Sequence, residues 1–309
     1  MPPRLFYCDH YEIPLPPGHK FPMAKYWLLR ETLAAEGMYR LERALPAAPE
    51  TLMAAHDRDY VTAFLEGTLG LVVMRRIGFP WSRELVQRSL ASVGATMSAA
   101  EDALATGFGG TLAGGTHHAF RGEGAGFCVF NDIAVAILSL LKAGRVGRAA
   151  VVDLDVNQGD GTAAIFRDDP RVLTLSIHGR NNFPLRKQQS TIDIDLADRT
   201  GDAEYLAELE NVLPRVFAFG PEIVFYQSGV DALAGDRLGR LALTLDGLKR
   251  RDALVFETCR ANGVPVVITL GGGYADPIMR TVQAHANTFR AAAETFVEAA
   301  SETHSCVGF

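Results

Sequence analysis

Short apolar runs alternate with longer helical segments through the second half of this chain. The runs predict strands at Ala149–Val152, Val172–Ile177, Ile223–Gln227 and Val264–Leu270. Strands that are apolar on both faces belong in a parallel sheet with helices covering each side, because parallel neighbours need a crossover connection. The alternation therefore predicts an α/β domain built on a central parallel sheet.

Helical patterns occupy the segments between and around these strands. Helices are predicted at Ser82–Ala105, Asp132–Lys142, Glu204–Phe217, Leu248–Ala261 and Pro277–Ala300. Ser82 is the predicted N-cap of the first helix, and Pro214 predicts a kink in the third. The 309 residues contain no repeat, low-complexity tract or linker. We therefore expect a single domain over residues 1–309, as is common for α/β enzymes of this length.

Composition excludes several classes of protein. The net charge is −6 and no Lys/Arg run stands out, so nucleic acid is not an expected partner, while a basic peptide would not be opposed. No apolar run approaches a membrane span, and no secretion signal is recognisable. The cysteines form no CxxC pair, which favours reduced thiols and a cytoplasmic location; they are Cys8, Cys128, Cys259 and Cys306. The sequence does not define an oligomeric state.

Polar clusters follow the predicted strands, where active sites of parallel sheets gather. The segment AAVVDLDVNQGDG carries its polar residues directly after an apolar strand, and these are Asp153, Asp155, Asn157 and Asp160. IVFYQSGVDALAGD ends at Asp231 and Asp236, and VVITLGGGYAD at Tyr274. GGTLAGGTHHAF adds the tandem His117 and His118. We expect these groups to converge on one edge of the sheet.

Such a set of residues suits hydrolysis at a metal centre. Asp155 and Asp231 offer two hard oxygen ligands, and position 157 offers a third, which leaves room for water and substrate. A metal there would polarise an amide carbonyl and activate its water. A nearby histidine would serve as general base and then general acid, and the Tyr274 hydroxyl would stabilise the oxyanion. The sequence therefore predicts a metal-dependent amide hydrolase.

These segments resemble the histone deacetylase superfamily, most of all its class IV and bacterial deacetylase and deacylase members. The resemblance extends from HKFPMAKY to LGGGYAD and rests on GGTHHA, GFCVFNDIAVA, DLDVNQGDGT, SIHGRNNFP, QSGVDALAGD and LGGGY in this order. It implies a three-layer α/β/α, arginase-like fold and removal of acetyl or longer acyl groups from lysine. It also implies Zn²⁺, with Fe²⁺ as the alternative, and a structural K⁺ or Na⁺. The implied substrate is an acylated lysine peptide or protein, or an acylated small amine.

The resemblance also implies roles for individual residues. Asp155 and Asp231 match zinc ligands, and Tyr274 matches the oxyanion-stabilising tyrosine. His117 and His118 match the tandem histidines, with His118 at the general acid/base position. Their orienting carboxylates are Asp153 and Asp160. The implied monovalent-cation site comprises Asp153, Asp155, Asn157, Ser176 and Ile177. The implied substrate-binding residues are Gly126, Phe127, Phe183, Gly272 and Gly273, with His19 and Phe21 at the rim.

Asn157 departs from the family pattern, which has a histidine ligand at this position. An amide oxygen is a poorer zinc ligand than imidazole, so we expect weaker zinc binding and a preference shifted towards harder ions. Two alternatives to a lysine deacylase stay open: an amidase acting on polyamines or other small molecules, and an acyl-ligand binder impaired in metal binding. A binuclear manganese ureohydrolase is disfavoured, because SGVDAL lacks the second-metal carboxylates.

Other polar and aromatic residues have simpler interpretations. Asp198 and Asp236 read as turn or cap residues, and Phe127 and Phe183 fit core packing as well as a tunnel. The triple glycine is not followed by GK[ST], so no phosphate loop is predicted. The remaining histidines are interpreted as structural or exposed; they are His10, His56, His178, His285 and His304.

Overall fold

The computed structural model describes residues 2–298, in which one sheet of eight strands forms the centre. The strand order is β2-β1-β3-β8-β7-β4-β5-β6, and every neighbouring pair is parallel. The strands are β1 Arg4–Tyr7, β2 Arg40–Arg43, β3 Phe108–Thr111, β4 Ala149–Asp153, β5 Val172–Gly179, β6 Ile192–Leu196, β7 Ile223–Gln227 and β8 Val266–Thr269. The predicted parallel sheet is confirmed.

Helices cover both faces of the sheet. They are α1 Ala24–Glu36, α2 Pro49–Leu52, α3 Arg58–Glu66, α4 Leu71–Ile77, α5 Arg83–Thr106, α6 Asp132–Lys142, α7 Asp160–Phe166, α8 Asp202–Ala218, α9 Leu245–Ala261 and α10 Met279–Ala293, with a π-helical turn at Glu294–Glu298. Ser82 caps α5 as predicted, since its hydroxyl accepts a hydrogen bond from Leu85 N at 3.0 Å. Pro214 lies inside α8. The last predicted helix begins later, at Met279, and its final residues lie outside the described ones, as do His304 and Cys306.

Two cores lie on opposite faces of the sheet, which makes the fold three-layered. Successive side chains of a strand point to opposite faces, and β7 divides its residues accordingly. Ile223 and Phe225 pack in the core that contains α5 and α6, whereas Val224 and Tyr226 pack in the core that contains α8, α9 and α10. The three-layer α/β/α arrangement is confirmed. Within residues 2–298, no helix is long and apolar enough to cross a membrane.

Four of the strands are not predicted by the sequence pattern, namely β1, β2, β3 and β6. Strand β3 reads FGGT, a composition that is poor in strand-forming residues. Its glycines are needed because neighbouring elements pack directly against the backbone, helix α5 at Gly109 and strand β1 at Gly110. A Cβ on Gly109 would overlap the carbonyl oxygen of Ala99, and one on Gly110 would lie 2.7 Å from Leu5 Cδ2. Close packing of a helix thus overrides local propensity in β3.

The sheet order brings together the strands that carry the polar clusters. β3, β8, β7, β4 and β5 are consecutive neighbours, and because they are parallel their carboxyl ends share one edge. The histidine segment follows β3, the DLDVNQGDG segment follows β4, and the SGVD and GGGY segments follow β7 and β8. The topology therefore places all four segments beside each other.

Candidate active site

A cavity of about 420 Å³ opens at this edge of the sheet. Three of the four polar clusters predicted from the sequence contribute to its wall, while Asp231 of the fourth is buried behind Gly272. The lining residues from those clusters include His117, His118, Asp155, Asn157, Gly272 and Tyr274. The structure therefore brings together groups that are far apart in sequence, at the place that the strand pattern predicts.

Each histidine of the tandem pair is held by its own carboxylate. His117 Nδ1 donates to Asp153 Oδ2 at 2.7 Å, and His118 Nδ1 donates to Asp160 Oδ1 at 2.6 Å. Both rings are buried, and their centroids lie 4.0 Å apart. These hydrogen bonds fix the ring orientation and leave each Nε2 free to face the cavity.

The two histidines have opposite preferences for the proton. Burial lowers the pKa of His117, but the charges of Asp153 and Asp155 and the hydrogen bond to Asp153 outweigh it and raise that pKa to about 10. Burial and the neighbouring charge of His117 lower the pKa of His118. Adjacent groups whose pKa values are pushed apart are typical of acid/base sites. The pair therefore offers one charged and one neutral imidazole side by side.

Asp155 and Asp231 present their carboxylates to the same point beneath the triple glycine. Gly272 N donates to Asp155 Oδ2 at 2.7 Å, and Val156 N donates to Asp231 Oδ1 at 3.0 Å. A Cβ on Gly272 would overlap the Asp231 carboxylate and come within 3.0 Å of Asp155 Oδ2. Burial and the charge of Asp155 raise the pKa of Asp231 well above its usual range. Two buried carboxylates in one cradle are a fitting site for a divalent cation.

Asn157 lies beside this cradle, and a rotation of its side-chain amide would present Oδ1 as a third oxygen donor. Its Nδ2 is 3.4 Å from Asp231 Oδ2, so the side-chain amide is within reach of the point where the carboxylates converge. Within the described residues, no three His, Cys, Asp or Glu side chains form a metal-holding group, because asparagine stands at this third position. The residues therefore fit a divalent ion through two carboxylates and an amide, a set that favours harder ions than zinc.

Tyr274 is the phenol nearest to the carboxylates. Burial, together with the charges of Asp231 and Asp155, raises the pKa of its hydroxyl well above the usual value, so the group stays a hydrogen-bond donor. Its backbone N–H donates to Asp236 Oδ2 at 2.6 Å. The buried Lys25 donates to Gly271 O at 2.8 Å and lies 5.6 Å from the centre of the Tyr274 ring. Asp236 therefore holds the backbone of Tyr274, and Lys25 lies against its ring.

Aromatic side chains form the mouth of the cavity, and Phe21 and Phe127 also pack against the core below it. Phe183 is 45% exposed and meets the His118 ring edge-on at 4.8 Å, and Phe127 is partly exposed with a φ of 66°. Phe21 also lines the cavity, and the His19 ring lies 5.8 Å from that of Phe127. Gly126 and Gly272 are lining residues. Gly273 is not; it is buried under Val230, Thr281 and His285.

The residues of the implied monovalent-cation site are neighbours in the sheet. Ser176 of β5 is paired with Asp153 of β4, and Ile177 follows it. The Ser176 hydroxyl lies 2.9 Å from His178 Nδ1. Beyond Asp153 the chain leaves the strand conformation, and Asp153 and Asp155 each accept a hydrogen bond from the backbone N–H two residues later, at 3.1 and 3.0 Å. This tight turn, rather than an extended strand, groups the carboxylates.

Several residues that support the site are missed by reasoning from sequence. Asp236, interpreted as a turn residue, does accept hydrogen bonds from Leu238 N and Gly239 N, but it also holds Tyr274. Asp132, in the first turn of α6, accepts from Gly115 N at 3.0 Å and Thr116 N at 2.7 Å, immediately before the histidines. The GFCVFND motif ends in Asp132, so the sequence does indicate that this residue has a role at the site.

Arg251 is a further supporting residue without a strand-end position. Its side chain is fully buried in α9, and Nη1 donates to Leu154 O at 3.1 Å and Gly229 O at 2.7 Å. Those carbonyls lie one and two residues before Asp155 and Asp231 respectively. A buried guanidinium thus ties together the two turns that carry the carboxylates, and the RRD sequence in a helix gave no indication of it.

Comparison with known proteins is consistent with this geometry. A model of the histone deacetylase domain matches residues 19–289. An uncharacterized protein of Picosynechococcus sp. is 46% identical over 94% of this chain and 98% of its own length. Histone deacetylase 2 of Arabidopsis thaliana is 28% identical over 85% of this chain and 72% of its own length.

A solved structure shares the fold. The crystal structure of the HDA15 HD domain superposes with a TM-score of 0.78 at 22% identity and covers 93% of this chain and 90% of that one. At this identity the likeness concerns the fold alone, and it supports the arginase-like α/β arrangement. The domain match over residues 19–289 carries the assignment and supports a hydrolase of the deacetylase type. This chain belongs to the histone deacetylase family.

Proposed function

We propose that this protein is a metal-dependent amide hydrolase that removes acetyl or longer acyl groups from lysine side chains. The observation that carries the proposal is that His117, His118, Asp155 and Tyr274 line one cavity, with each histidine held by a carboxylate and the Asp231 carboxylate beside Asp155 behind Gly272. This combination can bind a metal, move a proton and stabilise an oxyanion within one site. We further propose a single catalytic domain over residues 1–309 and a cytoplasmic location.

The mouth of the cavity supports a long, narrow substrate arm. Phe127 and Phe183 are both partly exposed and border the approach to His118. Aromatic walls at this place would contact the four methylenes of a lysine side chain and exclude water from the amide. The cavity of about 420 Å³ offers space beyond a single acetyl group, which is in keeping with the resemblance to class IV members and supports longer acyl chains as substrates.

Asp155, Asp231 and Asn157 would hold the metal ion. We propose Zn²⁺, bound more weakly than by a site with an imidazole at position 157, with the harder Fe²⁺ as the alternative. When bound, such an ion polarises the amide carbonyl and lowers the pKa of a water molecule. Ser176 and Ile177, together with Asp153, Asp155 and Asn157, are proposed to hold a structural K⁺ or Na⁺.

The chain's own residues account for the proton movements. His118 takes a proton from the attacking water through Nε2 while Asp160 holds its Nδ1 proton. The Tyr274 hydroxyl donates to the carbonyl oxygen as it gains negative charge. When the carbon–nitrogen bond breaks, His118 delivers this proton to the leaving amine, which yields free lysine and a carboxylate. His117, held by Asp153, keeps a positive charge next to this reaction.

The test is hydrolysis of acetyl-, octanoyl- and myristoyl-lysine peptides by the full chain, with acetylated polyamine as a fourth substrate. Metal content is measured on the same preparations. Turnover of a lysine peptide that depends on added metal supports the proposal, and turnover of the polyamine alone would replace it with a small-molecule amidase. Failure of a myristoyl-lysine peptide to compete with an acetylated one would exclude the preference for longer chains.

Asn157 favours one second candidate, an acyl-ligand binder with impaired metal binding. The observation behind it is the absence of a third histidine or carboxylate at the cradle within the described residues. Such a protein would bind acyl-lysine peptides, contain no metal and release no carboxylate. Binding without turnover, both with and without added Zn²⁺, Fe²⁺ or Mn²⁺, would decide in its favour.

A further inference from the structure

Two loops at the cavity carry an excess of positive charge on a chain whose net charge is −6. Loop 180–189 follows β5 and contains no acidic residue, while loop 234–242 follows the SGVD turn and contains a single one, Asp236. The basic residues of the two loops, which we call the basic mouth, are Arg180, Arg186, Lys187, Arg237 and Arg240. The local charge is therefore opposite in sign to that of the whole chain.

Both loops border the cavity and are joined into one wall. Asn182 Nδ2 donates to Leu238 O at 2.9 Å, and Asn182 Oδ1 accepts from Arg240 N at 3.2 Å. Asn182, Phe183, Leu238 and Arg240 all line the cavity. Of the five basic residues, Arg240 lines the cavity itself, and the other four lie on the same two loops.

Part of this charge is neutralised by neighbouring carboxylates. Arg180 pairs with Asp195 at 2.6 Å, and Arg240 pairs with Asp198 at 3.3 Å. The single acidic residue of the loops, Asp236, is occupied by backbone N–H groups, including that of Tyr274. Two of the five positive charges therefore have nearby counter-charges.

The other three positive charges have no such partner. Lys187 Nζ donates to two neutral carbonyls, Asn182 O at 2.6 Å and Pro184 O at 2.7 Å, and forms no ion pair within residues 2–298, although the charges of Asp160, Asp193 and Asp195 act on it. Arg186 and Arg237 are exposed, and neither forms an ion pair with any carboxylate in the part of the chain that the structure describes. Leu185, next to Arg186 in the chain, is 95% exposed. The outer wall is a positively charged surface with an apolar tip.

We infer that the basic mouth selects acyl-lysine substrates whose flanking residues are acidic. The inference rests on the proposed function and names the class of its substrate. A flanking Asp or Glu would meet Arg186, Lys187 or Arg237, whereas a flanking Lys or Arg would be repelled. The expectation that a mildly acidic chain suits a basic tail therefore does not hold at this surface, where the local charge decides.

The experiment uses three peptides that share one central acyl-lysine and differ in four flanking positions, which are all Glu, all Gln or all Lys. Binding to the full chain is measured by fluorescence anisotropy, and kcat/KM is measured on metal-loaded protein. At low ionic strength we expect the Glu peptide to bind roughly tenfold more tightly than the Lys peptide, since each exposed pair contributes a factor of about two to five. The ratio should shrink towards one at about 1 M salt, where charges are screened within ~3 Å.

Charge reversal at the mouth provides the matched comparison. Arg186→Glu, Arg237→Glu and the double variant should reverse the order of the Glu and Lys peptides. Arg215→Glu is the control, because Arg215 is exposed near the end of α8, which leads to the opposite edge of the sheet. It should leave the order and the ratio unchanged.

The possible outcomes separate the two proposals. Equal binding of the three peptides by the wild-type chain, or an order unchanged in a folded double variant, overturns the inference. If no peptide is hydrolysed but the Glu peptide still binds most tightly, the proposed hydrolysis is wrong and the preference for acidic flanking residues stands. The ratio of Glu-peptide to Lys-peptide affinity in the wild-type chain, and its dependence on salt, test the inference even if a variant does not fold.

Discussion

Position 157 is the residue on which the identity of the metal depends. Asn157→His would supply an imidazole nitrogen beside the Asp155 and Asp231 carboxylates, and zinc prefers such a mixed set over oxygen alone. We expect zinc affinity to rise at least about tenfold, with turnover of acetyl-lysine peptides rising in parallel. Isothermal titration with Zn²⁺ and a peptide hydrolysis assay measure the two effects. Asn181→His is the control, since this exposed asparagine also lines the cavity; an equal gain there would show that position 157 is not special.

Substitution of Tyr274 tests its role as oxyanion donor and leaves the Asp155 and Asp231 carboxylates in place. Tyr274→Phe removes one hydroxyl and should lower kcat about 10²–10³-fold, the usual cost of losing an oxyanion donor. Metal content and peptide binding should stay unchanged, because the backbone N–H that Asp236 holds is retained. Tyr39→Phe is the matched control: its buried hydroxyl donates to Phe289 O at 2.6 Å, so it should affect thermal stability and spare kcat. A drop in kcat below about fivefold for Tyr274→Phe would remove the hydroxyl from the mechanism.

At the scale of single residues, sequence reasoning found the groups that face the cavity and missed those behind them. His117, His118, Asp155 and Tyr274 stand out because they are polar residues after apolar strands, a pattern visible in the chain itself. Asp132 and Arg251 act on backbone atoms of segments distant in sequence. The GFCVFND motif marks Asp132 as a residue of interest, but the backbone partners of both residues become known only when the fold is known.

The start of helix α6 is the element that holds the histidine segment in place. Asp132 accepts hydrogen bonds from Gly115 N and Thr116 N, and it is fully buried. Asp132→Ala would leave these N–H groups unsatisfied, which should lower the free energy of unfolding by about 2–4 kcal/mol and displace His117 and His118. Denaturant unfolding and peptide turnover measure the two losses.

The control for this element is another first-turn aspartate. Asp246 begins α9 in an exposed position, so Asp246→Ala should cost only the loss of a favourable helix-dipole charge, about 0.3–1 kcal/mol. Equal destabilisation by the two variants would mean that Asp132 acts on its own helix rather than on the histidine segment.

Prediction of elements succeeded where packing agrees with local pattern. Strands β4, β5, β7 and β8 are apolar on both faces and lie centrally in the sheet, and all were predicted within two residues at each end. Strand β2 reads RLER at the sheet edge, where charged residues suit solvent, and β3 contains Gly109, which α5 crowds, and Gly110, which Leu5 crowds. Edge position and close helix packing are tertiary facts, so these strands could not be recognised from periodicity.

At the scale of the whole molecule, buried neutral histidines should make the fold sensitive to acid. Burial lowers the pKa of both His56 and His178 to about 4, and lowers that of His285 well below its usual value. His56 cannot gain a proton without loss of a contact, because Nδ1 lies 2.8 Å from Phe120 O and Nε2 accepts from Asn131 N at 2.8 Å. Asn131 in turn caps α6. These histidines, interpreted from sequence as structural or exposed, are structural.

The sign of this effect follows from proton binding in the two states. An unfolded chain binds a proton at each histidine below pH ~6.5, whereas the folded chain does not until pH ~4, so the free energy of unfolding falls as the pH drops across this window. For His56 the fall amounts to about 3 kcal/mol. His56→Gln should therefore be less stable at pH 7 yet lose less between pH 7 and 5, as measured by urea unfolding at each pH. Burial also lowers the pKa of His10, but its side chain is exposed, so His10→Gln should change the slope less than His56→Gln does. An unchanged slope in His56→Gln would show that protonation at other residues destabilises the fold in acid.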